Sequence, residues 1–159
     1  MTGALIHGVR ALDTGLRWVA ALCLAGMFGL MLAQVALRYT AIGVPAFAEE
    51  LARYAMVWMA LFSSAVAVRE ASHIRIDFVP IALARLVPWL GRGIEWLLDA
   101  ATLAICLTIL WQGLDIVSFA AQQRSDGLRI PLSWPYAAIP AAFGFAAVFA
   151  LVRLVEKRP

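Results

Sequence analysis

Apolar side chains in this chain run in long unbroken blocks, not in the short alternations of a soluble fold. No charged residue occurs from Trp18 to Leu37, and Arg38 and Tyr39 close that block. Three further blocks lie at 47–69, 93–119 and 134–155. A helix rises about 1.5 Å per residue, so about 20 apolar residues cross roughly 30 Å of hydrocarbon. The pattern therefore predicts an all-α integral membrane protein with four transmembrane helices, forming one domain over residues 1–159. The second and third blocks are short where they are strictly uncharged. Tyr54–Val68 and Ala100–Leu114 hold 15 residues each. Their charged ends belong at the membrane edge or inside a protein contact.

Small residues recur within the blocks. Ala21, Ala25, Gly29 and Ala33 form one stripe at intervals of four, and Ala138, Ala142, Ala146 and Ala150 form another. Such stripes let a second helix backbone approach closely. Gln34 is the strongly polar residue of the first block. Pro140 is expected to bend the fourth helix or mark a local break in its hydrogen bonding. The connections carry the usual punctuation, with Gly43 and Pro45 in the first and Gly127 and Pro131 in the third. Ser133 is a candidate cap for the fourth helix, with Pro135 in its first turn. In the central connection, 70–92, the stretch Pro80–Leu90 predicts a short amphipathic helix in the membrane plane. Asp77 is its candidate cap, and Trp89 would sit at headgroup level.

Composition agrees with this reading. Of 159 residues, 64% are apolar and 14% charged, against about 25% charged in soluble domains. Mean hydropathy is +0.85. No soluble domain of useful size remains outside the blocks. The first block exceeds the 7–15 residues of a signal-peptide core and reads as a retained signal-anchor helix. The net charge of +3 includes a single lysine and no polybasic tract, so no nucleic-acid partner is expected. Basic residues instead set orientation. The side shared by the termini and the central connection holds nine, and the other side holds Arg38, Arg53, Arg124 and Arg129. That bias puts both termini in the cytoplasm.

Candidate chemistry is sparse. His7 and His73 fall outside the blocks, so no axial pair for haem is in place. Cys23 and Cys106 sit deep in predicted spans, where cysteine acts as a small apolar residue. No metal-ligand spacing, nucleophile motif or phosphate-binding loop occurs. Neither an enzyme nor a bound cofactor is expected. No inverted repeat of the kind that builds a transporter's central site is visible. Three polar groups stand out. Glu49, Glu50 and Arg53 share the start of the second helix, where both acids can reach the arginine and one is left needing another donor. Asp99 lies about 9 Å beyond Gly93 along its helix, a depth at which a charge faces protein or water. A structural bond to a neighbouring helix is the simpler role for it, and an ion or proton path the sharper one. His73 and Asp77 follow the second span directly.

These residues carry a resemblance. Pro45-Ala46-Phe47-Ala48-Glu49-Glu50-Leu51-Ala52-Arg53-Tyr54, then Trp58, then Val68-Arg69-Glu70-Ala71-Ser72-His73-Ile74-Arg75-Ile76-Asp77, resembles the small permease subunit of tripartite ATP-independent periplasmic (TRAP) transporters. Gly127-Leu128-Arg129-Ile130-Pro131-Leu132-Ser133-Trp134-Pro135-Tyr136, with Ile139-Pro140, is similar to the same family's approach to its last helix. Ser63-Ser64 departs from the glycine expected there. The resemblance implies a division of labour in the bacterial inner membrane. A periplasmic binding protein captures an organic acid, and a large permease subunit carries it inward with sodium ions. The small subunit packs beside the permease scaffold, and its outward connections help dock the binding protein. Glu49, Glu50, Arg53, Trp58, Asp99, Arg124 and Arg129 would then be structural or partner contacts, and His73 and Asp77 would order the cytoplasmic connection. The rival readings are a membrane anchor for an enzyme or redox complex and a small homo-oligomeric exporter.

Overall fold

The computed structural model describes residues 3–40, 46–74 and 88–156. Four of its helices are long and apolar enough to cross a membrane. They are α1 (Gly3–Arg38), α2 (Ala46–Ile74), α3 (Pro88–Ala120) and the last span, which is divided into α4 (Ser133–Tyr136) and α5 (Ala138–Glu156). Among the described residues strand-type pairing is confined to an isolated antiparallel bridge, Arg124 with Pro131. The segment 80–87 of the expected membrane-plane helix, and its cap Asp77, lie outside the described residues, and Pro88–Leu90 open α3.

The covered positions on each helix follow spacings of three and four. On α1 they are Asp13, Leu16, Ala20, Cys23, Met27, Leu30, Gln34 and Leu37. The same rhythm covers Ala48, Ala52, Ala55, Met59, Phe62, Val66 and Arg69 on α2, and Asp99, Leu103, Cys106, Leu110, Gly113, Val117 and Ala120 on α3. A mean repeat of 3.5 is the seam of near-antiparallel helices in left-handed packing. Neighbours in space are α1 with α2, α2 with α5, and α5 with α3. The short last span is thus central, and α1 leans on α2 at one edge.

The two small-residue stripes have opposite fates. Ala138, Ala142, Ala146 and Ala150 are all buried, at most 2% exposed. They form the floor on which α2 and α3 pack, beside the core of Leu16, Phe62, Val66 and Phe149. Ala21, Ala25, Gly29 and Ala33 instead point away from α2 and are exposed. Gly113 marks the closest approach of α3 to α5. A Cβ there would lie 3.2 Å from the Ile139 methyl and from the Pro140 ring.

Beyond the longer α2 and α3, which reach Ile74 and start at Pro88, three further features differ from the sequence expectation. α1 begins at Gly3, well before Trp18, because Val9, Leu12 and Leu16 continue its packing row below the apolar block. Ser133 does not cap the last span. Leu132 occupies the cap position in a helical conformation, with no side-chain cap bond, because the chain is already turning. Trp134 N–H donates to the Pro131 carbonyl at 3.2 Å. The break expected from Pro140 falls at Ala137. Proline has no N–H to return to the carbonyl four residues earlier, here that of Tyr136. Ala137 N–H bonds the Ser133 carbonyl at 2.8 Å, and Ala141 N–H bonds Ala137 at 3.2 Å, so the turn is carried across the break.

Candidate functional site

Polar chemistry collects at the two ends of the bundle. At the end holding the start of α1 and the end of α5, six charged side chains interlock. Asp99 is 2% exposed and pairs with Arg153 at 2.5 Å. The second arm of that guanidinium donates to the Val68 carbonyl at 2.8 Å. One arginine on α5 therefore ties α3 to α2. Beside it, the Asp13 carboxylate receives both Arg69 and Arg17, the latter through Nε at 3.2 Å. Arg17 also reaches Glu70. The Arg69 guanidinium lies 5.9 Å from the centre of the Phe149 ring, within cation–π range. Three acids and three arginines leave this network neutral. Burying charge is costly unless each charge is paired and hydrogen-bonded; every charge here has a counterion, while Asp13 Oδ1 is buried without a hydrogen-bond partner.

The opposite end carries a clamp. Glu50 Oε2 accepts the backbone N–H groups of Gly127 at 3.0 Å and Leu128 at 2.8 Å. Its other oxygen accepts the Tyr54 hydroxyl. The clamped turn is closed by its own backbone: Ser125 N–H donates to Ile130, and Leu132 N–H to Gln123, both at 2.9 Å. Arg129 reverses the chain at φ 52°, a left-handed conformation uncommon outside glycine. The Arg124 guanidinium donates to the Arg129 carbonyl at 3.2 Å. A carboxylate accepting two successive N–H groups holds this connection against the start of α2.

Each residue singled out in the sequence now has a place. Glu49 and Arg53 form the i, i+4 pair at 3.3 Å with both side chains largely exposed. The acid that needed another donor is Glu50, and its donors come from the Gly127 turn of the same chain. Trp58 meets Phe62 edge to face, with centroids 5.1 Å apart, against α5. Arg124 and Arg129 shape the clamped turn. His73 lies in the last turn of α2, and Asp77 lies outside the described residues. Asp99 is a structural ion pair in this geometry. Among the described residues, no three His, Cys, Asp or Glu side chains converge as a metal site would require.

Sequence reasoning overlooked Arg153, Asp13, Arg69 and Tyr54. A signal existed for the first. Counted from the shared end of the bundle, Arg153 and Asp99 stand at similar depth on helices of opposite direction. Asp13 and Arg17 are four apart, a spacing that also announces a pair.

Two comparisons bear on what such a bundle is for. Residues 27–159 match the family model described as tripartite ATP-independent periplasmic transporters, DctQ component. The chain is also 34% identical, over 103 residues, to the isethionate TRAP transporter permease protein DctMQ of Oleidesulfovibrio alaskensis. That match covers 63% of this chain but 16% of the relative, which is a much longer protein.

Proposed function

This chain belongs to the DctQ component family of the tripartite ATP-independent periplasmic transporters, and from that premise we propose that it is the small membrane subunit of a sodium-coupled transporter for organic acids. It packs against the large permease subunit and extends the scaffold past which substrate is moved. The family match over most of the chain carries this reading. The relative's name supports the substrate class, since isethionate is a small organic sulfonate.

The physical features fit a stationary helper. A moving transport domain needs a rigid reference: one end of this bundle is cross-linked between helices by the Asp99–Arg153 pair, and at the other Glu50 ties a connecting turn to the start of α2. The Glu50 clamp holds the connection bearing Arg124, Asp126 and Arg129 in one shape. In the orientation set by the basic residues, with both termini in the cytoplasm of a bacterial inner-membrane protein, that connection faces the periplasm. It offers exposed charge to a docking substrate-binding protein.

Removing this chain while leaving the large subunit and the binding protein in place tests the role. Uptake of the organic acid should be lost, while the binding protein still takes up its ligand in solution. Full uptake by the large subunit alone would refute the proposal.

A further inference from the structure

The helices do not offer the same surface to their surroundings. On α1 the exposed stripe Ala21, Ala25, Gly29 and Ala33 is interleaved with Trp18, Leu22, Phe28, Leu32 and Val35, each more than half exposed, as lipid-facing side chains are. The charges bounding α1's apolar stretch, Arg17 and Arg38, stand about 31 Å apart along the helix. That equals the roughly 30 Å of bilayer hydrocarbon. The exposed row of α2 differs on both counts. Arg53, Met56, Ala60, Ser63, Ala67 and Glu70 recur at intervals of three and four, so they share one face. Beyond Met56 the row is small or hydroxyl-bearing. Ser64, beside it, turns its hydroxyl back to the Ala60 carbonyl at 2.9 Å. The bounding charges, Arg53 and Glu70, are about 25 Å apart, too close to clear the hydrocarbon at both ends. Charges at such depth face protein or water: Glu70 meets Arg17 of α1, whereas Arg53 and its partner Glu49 stay exposed, and small residues are what allow a second helix to come near.

We propose that this face of α2 is the seat of a transmembrane helix of the large permease subunit. The inference rests on the functional reading above and adds the surface to it. Among the described residues, α2 meets α1 and α5 with its other two rows, and the Ala60–Ala67 row stays uncovered. In the DctMQ relative the matching stretch is part of one long permease polypeptide, so the rest of a permease is the neighbour at hand. The exposed Glu49–Arg53 pair at the top of the face specifies the contact further. The seated helix should bring small side chains opposite Ala60–Ala67 and a hydrogen-bonding or charged group opposite that pair.

Photo-crosslinking in membranes containing the assembled transporter tests this. A benzophenone side chain is placed singly at Ala60, Ser63 or Ala67, and at Leu22, Phe28 or Leu32 of α1 as controls. Irradiation should join the α2 positions to the large subunit and leave the α1 positions unjoined. Adducts from α1 with none from α2, while the unmodified chain still copurifies the large subunit, would overturn the assignment. If the unmodified chain copurifies no large permease, the functional reading falls first. A second measurement does not depend on photochemistry. Ala60→Phe should lower retention of the large subunit on a tagged chain about tenfold, the scale of one overpacked contact. Leu22→Phe should leave it unchanged. Retention by Ala60→Phe equal to the parent, from an equally monodisperse sample, also counts against the proposal.

Discussion

At Asp99 the chain holds a carboxylate that is 2% exposed, and Arg153 supplies its counterion. The arginine is 13% exposed and also donates to the Val68 carbonyl, so it joins α5 to both α3 and α2. Removing one side leaves the other charge buried without its counterion. Breaking a buried pair in this way costs about 3–5 kcal/mol, more than the pair contributes relative to an apolar replacement of both. Asp99→Leu should therefore lower the thermal midpoint of the purified chain sharply, and adding Arg153→Met to it should recover most of the loss. Thermal unfolding in detergent, run as a double-mutant cycle, measures the coupling. Additive losses would show that the two side chains act independently. The exposed Glu49–Arg53 pair is of another kind. Both side chains are more than two-thirds exposed, so solvent screens them and little stability of the isolated chain rests on them.

Between helices, small residues decide how near two axes come, and Gly113 and Gly144 are a matched test. A Cβ on Gly144 would meet the Leu110 methyl at 3.8 Å, an ordinary contact. Gly144→Ala should stabilise the bundle by up to about 1 kcal/mol through lost chain entropy in the unfolded state. A Cβ on Gly113 meets the Pro140 ring at 3.2 Å and its nitrogen at 3.3 Å, and that backbone cannot yield as a side-chain end can. Gly113→Ala should destabilise by about 1–3 kcal/mol despite alanine's better helix propensity. Opposite signs in thermal unfolding are the expected outcome. The elements themselves were legible in the sequence, because an uncharged run of spanning length has few other uses. The direction each face takes was not. Two stripes of small residues read alike, yet one is the core of α5 and the other is the exposed side of α1. What separates them is the number of neighbours a helix has, which periodicity within one helix does not contain. The same holds for the charges. Glu50 was readable as a carboxylate lacking a donor, but its donors are 77 and 78 positions away on a turn whose shape depends on Arg129. Ser133 failed as a cap for a local reason: the chain enters the helix one residue early, through Pro131.

For the molecule as a whole, sidedness decides what each end can meet, and the folded bundle complicates the count of basic residues that argues for it. Arg17, Arg69 and Arg153 lie on the termini side but are neutralised by Asp13, Glu70 and Asp99. Arg53 on the other side is paired with Glu49. Setting the paired residues aside leaves six against three, so the bias survives. The pairs between helices also form after the helices are inserted, whereas the rule acts on basic residues during insertion. The orientation proposed above, with the Gly127 turn outside the cell membrane and the start of α1 inside, is open to direct test. In a chain with Cys23 and Cys106 replaced by alanine, Asp126→Cys should react with a membrane-impermeant maleimide on intact spheroplasts. His7→Cys should react only once the membrane is opened. The reverse pattern would move the clamp to the cytoplasm, where no periplasmic protein could reach it, and the docking role proposed for that connection would be lost with it.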